Sequence, residues 1–351
     1  MKIVVTGATG NVGTSVVQAL AADDRVTEIV GIARRLPPWT QARTRWTSAD
    51  VAEADLDPTF AGAAVVIHLA WAIQPSRNER ETHRVNVQGS RRVFEAAART
   101  GVGALVHASS VGAYSDGPKD RAVDESWPTQ GIETSFYSRH KVAAERALDV
   151  IERDNPRMRV VRLRPGLVFK REAASEIRRL FAGPFLPSPL VRPWLLPVIP
   201  DVPGLRVQAV HSHDVADAYK LGALEERARG AYNIAAEPVL DVSSVGQALN
   251  ARPVRVPGRA LRGLAAASFK ARLQPTPPGW LDLGLGVPLM DISRAHNHLG
   301  WRPGRSATEA LLELIDGMRE SAGLDTPPLA PDAGGPFRVR ELLSGVGRRN
   351  P

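Results

Sequence analysis

Thr6-Gly7-Ala8-Thr9-Gly10-Asn11-Val12-Gly13 joins an apolar run, Lys2 to Thr6, to an amphipathic stretch that carries Val16, Val17 and Leu20. Three glycines at a strand-to-helix turn have separate roles. The first permits the tight turn, the second lets a pyrophosphate approach the backbone, and the third allows close packing of helix and sheet. The N–H groups and dipole of the following helix also favour a phosphate at this turn. The stretch therefore predicts a dinucleotide-binding turn.

Working outward from this turn, the first half of the chain alternates short apolar runs with amphipathic helical stretches. Nearly continuous apolar runs such as 63–67 are typical of central strands covered on both faces. Alternation at this spacing predicts an α/β fold, a Rossmann-type doubly wound parallel sheet with right-handed crossovers. The runs that we interpret as strands are Lys2 to Thr6, Glu28 to Ala33, Ala64 to Leu69, Ala104 to Ser109, Arg159 to Arg164 and Ala231 to Ala235.

The pattern changes after Pro165, which predicts a second, smaller region. We assign residues 1–165 to a dinucleotide-binding domain, with 209–237 returning to it. Residues 166–208 and 238–320 form a smaller C-terminal α/β subdomain that binds substrate, and 321–351 form a loosely docked tail. The proline-dense stretch 181–207 cannot be a regular helix. It is interpreted as a packed covering loop, with a substrate lid or a membrane-surface loop as alternatives.

The second strand ends in Arg34-Arg35, at the position where an NAD-binding protein normally places a carboxylate for the ribose hydroxyls. Paired arginines favour a 2′-phosphate, so NADP is preferred over NAD; the alternative is two solvated surface arginines. Asp50-Val51, after the third strand, is expected at the adenine edge.

Tyr137 and Lys141 are four residues apart on an amphipathic helix for which Thr134 or Ser135 is the expected cap. An ammonium beside a phenol lowers the phenol's pKa from about 10 toward neutrality. Tyr137 would then exchange a proton with a carbonyl or an alcohol. Ser110 follows a strand and is expected at the carboxyl edge of the sheet, where its hydroxyl would hold the reacting oxygen. An isolated pair of this kind would be read as an ordinary surface pair.

Composition excludes several other classes. The chain of 351 residues has no cysteine, which excludes disulfides, thiolate zinc sites and cysteine nucleophiles. Its net charge of +8 comes from basic residues spread along the chain, so no nucleic-acid partner is expected. No zincin-like spacing of histidine and carboxylate occurs, so no metal is assigned. Without an apolar run long enough for a membrane span or a recognisable leader, a cytoplasmic location is the expectation.

Several motifs together resemble the extended short-chain dehydrogenase/reductases, and more narrowly the NAD-dependent epimerase/dehydratase family. The resemblance covers about residues 1 to 318. Besides the glycine turn and Tyr137 with Lys141, it rests on the following segments: His68-Leu69-Ala70, Asn86-Val87-Gln88-Gly89, Ser109-Ser110, Leu163-Arg164-Pro165-Gly166, Val210-His211 with Asp214-Val215-Ala216, and Asp291-Ile292-Ser293-Arg294-Ala295 with Leu299-Gly300-Trp301.

The resemblance implies roles for these residues. Tyr137 would be the general acid/base, Lys141 the ribose ligand and Ser110 the hydroxyl that positions oxygen, while Asn86 would steady the helix or a water network. It also implies a homodimer. The catalytic candidates are Ser110, Tyr137 and Lys141. The cofactor candidates are Gly7, Thr9, Gly10, Asn11, Val12, Gly13, Arg34, Arg35, Asp50, Val51, Leu69, Ala70, Asn86, Tyr137, Lys141 and Pro165.

The chain departs from nucleotide-sugar members at two positions. Val207 stands where those members carry the arginine that grips a diphosphate, and residues 166–170 lack their asparagine. These departures, with the apolar 181–207 stretch, favour a small hydrophobic or aromatic carbonyl or alcohol as substrate. The leading hypothesis is an NADP-preferring oxidoreductase. The alternatives are an epimerase or dehydratase that uses bound NAD(P), and a non-catalytic regulator that senses the dinucleotide.

Overall fold

A computed structural model describes residues 1–74, 76–181 and 198–331. Its strands are β1 (Lys2–Thr6), β2 (Glu28–Ala33), β3 (Thr44–Ser48), β4 (Val65–His68), β5 (Ala104–Ala108), β6 (Ala122–Val123), β7 (Arg159–Pro165), β8 (Leu167–Phe169), β9 (Val198–Asp201), β10 (Val207–His211), β11 (Gly230–Ile234), β12 (Ala236–Leu240), β13 (Arg252–Arg255) and β14 (Leu289–Met290).

The α-helices begin after capping residues or turns that the sequence supplies. They are α1 (Asn11–Ala21), α2 (Asp57–Phe60), α3 (Glu79–His83), α4 (Ser90–Arg99), α5 (Phe136–Asp154), α6 (Ala174–Phe181), α7 (Ser212–Leu224), α8 (Val242–Leu249), α9 (Gly258–Lys270), α10 (Gly279–Gly286) and α11 (Ala307–Glu320). A π-helical turn, Arg84–Gly89, joins α3 to α4, a second spans Ala295–Leu299, and short 3₁₀ turns cover Val111–Ala113 and Arg171–Ala173.

The central sheet has seven strands in the order β11-β7-β5-β4-β1-β2-β3. Every pairing within it is parallel. The strand order reverses between β1 and β4, and in open α/β sheets ligands bind at such a reversal, beyond the carboxyl ends of the strands. This confirms the prediction of a doubly wound parallel sheet, and it places the glycine turn at the reversal.

Helices cover both faces of this sheet, so the core lies in two layers. On one face, α1 and α7 pack on each other and share a core with Ile3, Val5 and Tyr219. On the other, Phe60, Phe94 and Leu148 from α2, α4 and α5 are buried against the sheet. Two buried layers explain why the central strands are apolar on both of their faces.

The second half of the chain forms smaller sheets beside the main one. One has three strands in the order β12-β10-β8, and the pairs β13-β9 and β14-β6 form two more. α7 and β11 lie with the main layer, whereas β10 belongs to the three-stranded sheet. Most of the proline-dense stretch, residues 182–197, lies outside the described residues, as do 332–351 of the tail. Among the described helices, none combines the length and apolarity needed to cross a membrane.

Candidate functional site

The glycine turn has the geometry that its spacing predicts. Gly7 has φ +69°, and a Cβ added there would lie 2.6 Å from the backbone nitrogen of Ala70. A Cβ at Gly13 would lie 2.2 Å from the carbonyl oxygen of Gly7, so both positions require glycine. At Gly10 the nearest atom to an added Cβ would be 3.6 Å away. Gly10 caps α1 without a side chain, so the backbone here is open to a ligand.

A cavity of about 180 Å³ lies at the carboxyl edge of the sheet, over this turn. It extends along the ends of β1, β2, β3 and β4. Nine of the residues predicted to bind cofactor line it, namely Gly7, Thr9, Gly10, Arg34, Arg35, Asp50, Val51, Leu69 and Ala70.

The other predicted cofactor residues lie behind this lining or further along the sheet edge. Asn11 donates its side-chain amide to the carbonyl of Val168 at 3.0 Å, and Val12 packs on the core. Asn86 is buried. Its side-chain oxygen accepts a hydrogen bond from the Ala72 N–H at 2.6 Å, and its side-chain nitrogen donates one to the Ala72 carbonyl at 2.8 Å. It therefore braces the loop after β4. Pro165 is the buried last residue of β7.

The charges at one end of the cavity suit an anion. Arg34 and Arg35 follow β2, and burial together with the neighbouring Arg34 lowers the pKa of Arg35. The Asp50 carboxylate accepts bonds from the Arg84 guanidinium at 3.1 Å and from the Ala52 N–H at 2.9 Å. The lining of the cavity thus includes two guanidinium groups beside β2.

Tyr137 and Lys141 lie on α5, whose first turn is capped by the Ser135 hydroxyl, as one of the two predicted caps. Ser110, which follows β5, is close enough to the Tyr137 phenol to lower the pKa of that phenol. The Ser110 hydroxyl also accepts a bond from the Gly112 N–H at 3.0 Å, which fixes its position. The structure thus brings together the three residues that were predicted as catalytic.

Lys141 does not act on the phenol as expected. Its ammonium donates to the carbonyl of Ala108 at 2.7 Å and lies 3.4 Å from the ring centroid of Trp71, but 5.6 Å from that of Tyr137. Burial raises the pKa of Tyr137 to about 12, and the neighbouring Ser110 opposes this rise. Burial also lowers the pKa of Lys141, opposed by Glu145. The expectation of a lowered phenol pKa is therefore wrong for this structure, because desolvation exceeds the effect of the lysine.

Two tryptophans enclose Tyr137. The ring centroid of Trp71, in the loop after β4, lies 6.0 Å from that of Tyr137, and the centroid of Trp280, on α10, lies 4.9 Å from it. On the remaining side, a Cβ at Gly112 would come within 3.0 Å of the tyrosine ring. The phenol therefore lies in an apolar, aromatic environment.

A buried ion pair supports this site from below. Arg164 of β7 donates two bonds to Glu145 of α5, at 2.9 and 2.7 Å, and also donates to the Tyr114 hydroxyl at 3.0 Å. Ser109 donates to the same carboxylate. Both charged side chains are less than 10% exposed. Because Glu145 lies one turn beyond Lys141, the pair fixes α5 against the strand ends.

Segments distant in sequence cover the cavity. The last described residues dock on the glycine turn: Thr326 is buried and donates its hydroxyl to the carbonyl of Thr9 at 2.9 Å. The next residues, Pro327 and Pro328, line the cavity. Leu329 is also fully buried, so this part of the tail is closely held. From α6, Glu176 lines the cavity, and burial raises its pKa to about 7, opposed by Arg179 and Lys170.

Some residues that line the cavity were not predicted from the sequence, because they do not belong to a recognised motif. Trp71 directly follows a motif that was recognised, so its position was the only available signal. Ile32 and Ala33 end β2, and the others come from turns, loops or more distant segments. These lining residues are Ile32, Ala33, Ala49, Trp71, Ala72, Ile73, Gln74, Val85, Glu176, Leu180, Pro327 and Pro328. Trp280 was missed at the tyrosine for the same reason. Among the described residues, no three histidine or acidic side chains gather as a metal site would require.

Comparison with known proteins gives one family. Residues 3–183, just over half of the chain, match the model of the "NAD dependent epimerase/dehydratase family". The chain is 28% identical to an uncharacterised protein of Mycobacterium tuberculosis (strain ATCC 25618 / H37Rv) over 92% of its own length, and it spans 31% of the length of that relative.

Two further similarities involve proteins of known activity. The human 3 beta-hydroxysteroid dehydrogenase type 7 is 32% identical over 40% of this chain and 42% of its own. The solved structure of UDP-glucose 4-epimerase from Thermus thermophilus, in complex with NAD, superimposes with a TM-score of 0.66 at 22% identity, over 91% of this chain and 99% of its own. At that identity the superposition shows a shared fold.

Proposed function

Because the chain belongs to the NAD dependent epimerase/dehydratase family, we propose that it is an NAD(P)-dependent oxidoreductase acting at a carbonyl or alcohol carbon. The observation that carries this proposal is the meeting of Ser110 and Tyr137 around Gly112, whose N–H donates to the Ser110 hydroxyl at 3.0 Å and whose added Cβ would lie 3.0 Å from the tyrosine ring. This pair lies at the carboxyl edge of the sheet, and the neighbouring Trp71 also lines the cavity over the glycine turn. A proton-exchanging pair and an adjacent cavity for a dinucleotide are the two parts that the reaction needs.

The residues present fit a nicotinamide dinucleotide. The open backbone at Gly10 and the first turn of α1 would hold the pyrophosphate, and Arg34 with Arg35 would hold a 2′-phosphate. Asp50 and Val51 would lie at the adenine edge. When bound, the dinucleotide supplies hydride transfer.

The chain's own residues handle the oxygen and its proton. Ser110 would donate to the carbonyl oxygen and hold it beside the phenol. With its pKa raised to about 12, Tyr137 is protonated at neutral pH and is ready to donate its proton to that oxygen as negative charge develops. Lys141 would hold the ribose. Trp71 and Trp280 would exclude water from the reacting carbon.

The walls beside Tyr137 favour an apolar or aromatic substrate. Trp280 and Leu283 come from α10, and both lie close to the phenol or to Gly112. A sugar nucleotide would need polar partners for its hydroxyls, which indole rings supply poorly. The human relative, a hydroxysteroid dehydrogenase by name, is compatible with this substrate class.

One observation favours a second candidate, an epimerase or dehydratase that keeps its cofactor bound. The segment that carries Thr326, Pro327 and Pro328 covers the cavity, which would slow exchange of a dinucleotide. Mass spectrometry of nucleotide released from the denatured protein distinguishes the candidates. Near-stoichiometric NAD would favour the second candidate, and an empty site that prefers NADPH would favour the first.

Substitution Gly10→Val tests whether the cavity holds the dinucleotide. Its side chain would project into the cavity without meeting the protein, since only the Gly7 oxygen lies within 4 Å of a Cβ there. We expect NADPH binding and turnover to be lost together while the thermal unfolding midpoint is retained. Gly263→Val, in the open on α9, is the matched control. Unchanged binding in Gly10→Val would contradict the proposal.

A further inference from the structure

The stretch 242–281 carries basic side chains and no acidic ones. It includes no aspartate or glutamate but contains six basic side chains, Arg252, Arg255, Arg259, Arg262, Lys270 and Arg272. At α3, α4 and α5, by contrast, basic and acidic side chains form ion pairs within one turn of each other. The stretch contains α9, a 13-residue helix in which no residue is buried. Most helices of comparable length bury one face.

The outer face of α9 carries an exposed apolar stripe. Ala260, Leu264, Ala267 and Ala271 recur at helical spacing, and all four are exposed. Leu264 is 65% exposed, and Leu273, just after the helix, is 54% exposed. Among the large apolar residues that the structure describes, Leu264 is the most exposed, and Leu273 follows Leu36 in third place. The inner side of α9 does contact the protein, because Gly258 faces Val202 and Leu285. The stripe therefore points away from the fold.

The basic residues around this stripe have few counter-charges. Arg262 forms a two-bond ion pair with Asp282, at 2.8 and 3.0 Å. Arg259, Lys270 and Arg272 are exposed, and in the part of the chain that the structure describes no carboxylate lies within ion-pair distance of them. A positive surface with a central apolar stripe is thus presented to the outside. We call Arg259, Ala260, Leu264, Ala267, Lys270 and Arg272 the α9 face.

A second exposed apolar pair lies immediately before α9 in the chain. Val254 of β13 and Val198 of β9 are 48% and 53% exposed. In the parallel register Val198 pairs with Arg252, so Val198 and Val254 lie on the same side of this two-stranded sheet. The combination of exposed apolar side chains and exposed cations thus extends beyond one helix.

We propose that the α9 face docks on an anionic lipid bilayer. A helix that lies in a membrane interface presents an apolar face to the acyl boundary, and basic side chains beside it contact the anionic headgroups. A second copy of this chain would bring like charges together. A nucleic acid would satisfy the cations and leave Leu264 and Leu273 in water. An anionic bilayer satisfies both.

The position of α9 connects this surface with the site. Arg77, in the loop after β4, lies 3.9 Å from the ring centroid of Phe269, and Ser76 donates to the carbonyl of Pro275. The chain then continues into α10, where Trp280 packs on Tyr137. Docking would therefore hold one wall of the site near the bilayer, where an apolar substrate would be dissolved. This last step rests on the proposed function, whereas docking itself does not.

Vesicle binding of the full chain tests the proposal without reference to activity. Sedimentation is measured with vesicles of neutral phosphatidylcholine alone and with 30 mol% phosphatidylserine added, at about 0.1 M salt, where screening is moderate. We expect binding to the anionic vesicles at least tenfold tighter than to the neutral ones. Equal or absent binding to the anionic vesicles would overturn the proposal.

Two variants of the α9 face locate the contact. Arg259→Gln/Lys270→Gln/Arg272→Gln is expected to weaken binding about 100-fold, from about 1 kcal/mol for each basic residue at an anionic surface. The control Arg157→Gln/Arg227→Gln/Arg302→Gln removes the same charge from exposed positions elsewhere and should leave binding within about twofold. An equal loss in both would mean attraction by net charge alone, and would overturn the proposal.

Leu264→Ser separates a bilayer from other polyanions. Loss of this exposed side chain should weaken vesicle binding about fivefold, because its burial among lipid chains is lost. Val150→Ser, which removes a 45% exposed side chain on α5, is the control and should have no effect. Binding that is insensitive to Leu264→Ser, or that is tighter to duplex DNA than to vesicles, would replace the bilayer with a soluble polyanion as partner.

Discussion

The protonation state of Tyr137 depends on the surroundings of its own phenol and of the Lys141 ammonium. Trp71 lies over the Lys141 ammonium, and the ammonium donates a hydrogen bond to the Ala108 carbonyl, so it is directed away from the phenol. With its pKa raised to about 12, the phenol stays protonated across the physiological range. A protonated phenol suits reduction, in which the residue donates to a carbonyl oxygen.

Arg34 and Arg35 provide a prediction about cofactor choice. In the double variant Arg34→Ala/Arg35→Ala, the affinity for NADPH should fall at least about tenfold, because charge-assisted bonds to a phosphate contribute about 1.5–3 kcal/mol each. The affinity for NADH should change less than about twofold, which makes NADH the internal control. Fluorescence titration with both cofactors measures this. Equal losses for the two would mean that neither arginine reads the 2′-phosphate.

At the scale of elements, local sequence patterns predicted the features that depend on local sequence. The strands and the glycine turn follow from apolar runs and from steric demands that only glycine meets, and the Ser135 cap follows from its place before an amphipathic helix. Trp280, Glu176 and Pro328 could not be placed in this way. They reach the site through tertiary packing of α10, α6 and the tail, and no local periodicity records which distant segments meet.

The raised pKa of the Tyr137 phenol could not be predicted from the sequence for a related reason. The spacing of Tyr137 and Lys141 places both on one face of α5, as the structure has them. The spacing does not show how much protein buries each group, nor that Trp71 intervenes. Desolvation depends on the whole surroundings of a side chain, so it becomes visible only when these are known.

The covering segment at residues 321–331 yields a prediction at the same scale. Thr326→Val keeps the side-chain volume and removes the bond to the Thr9 carbonyl, which is 2.9 Å long. Since such a bond contributes about 1 kcal/mol, the dissociation rate of bound dinucleotide should rise about fivefold in stopped-flow measurements. Thr100→Val, which removes a bond to the Ala96 carbonyl at the end of α4, is the control. A release rate unchanged from wild type would show that this segment does not retain the cofactor.

At the scale of the whole molecule, the two halves of the chain contribute different parts of one site. The family model matches residues 3–183, which include the glycine turn, Ser110, Tyr137 and Lys141. The remaining part supplies Trp280 and the covering residues Pro327 and Pro328. The part that the family model covers therefore contains the three predicted catalytic residues, and the remaining part adds side chains beside the phenol and the cavity.

Two buried histidines in the central sheet lead to a prediction about how the free energy of unfolding depends on pH. Burial lowers the pKa of His68 to about 3 and that of His107 well below its usual value, so both are neutral in the folded protein. In the unfolded chain each titrates near 6.5, and below that pH the unfolded state binds protons that the native state does not. These two histidines should therefore lower the free energy of unfolding by roughly 3 kcal/mol between pH 6.5 and 5.

His107→Leu isolates half of this effect. Both ring nitrogens of His107 are buried without a partner among the described residues, so the substitution removes no hydrogen bond there. Chemical denaturation at pH 6.5 and 5 should show a stability loss about 1.5 kcal/mol smaller than that of the wild type. His83→Gln, which removes an exposed histidine, is the control. A loss as large as in the wild type would locate the acid sensitivity outside the sheet.

Turnover and cofactor binding in Tyr137→Phe test the central claim most directly. The substitution removes one oxygen and leaves the aromatic contacts with Trp71 and Trp280 in place. We predict that reduction of apolar aldehydes or ketones falls at least about 1,000-fold, because the proton donor is lost, while the NADPH dissociation constant stays within about threefold. Tyr219→Phe, in a buried tyrosine of α7, should retain turnover. Activity of Tyr137→Phe comparable with that of the wild type would contradict the assignment of Tyr137 as the proton donor.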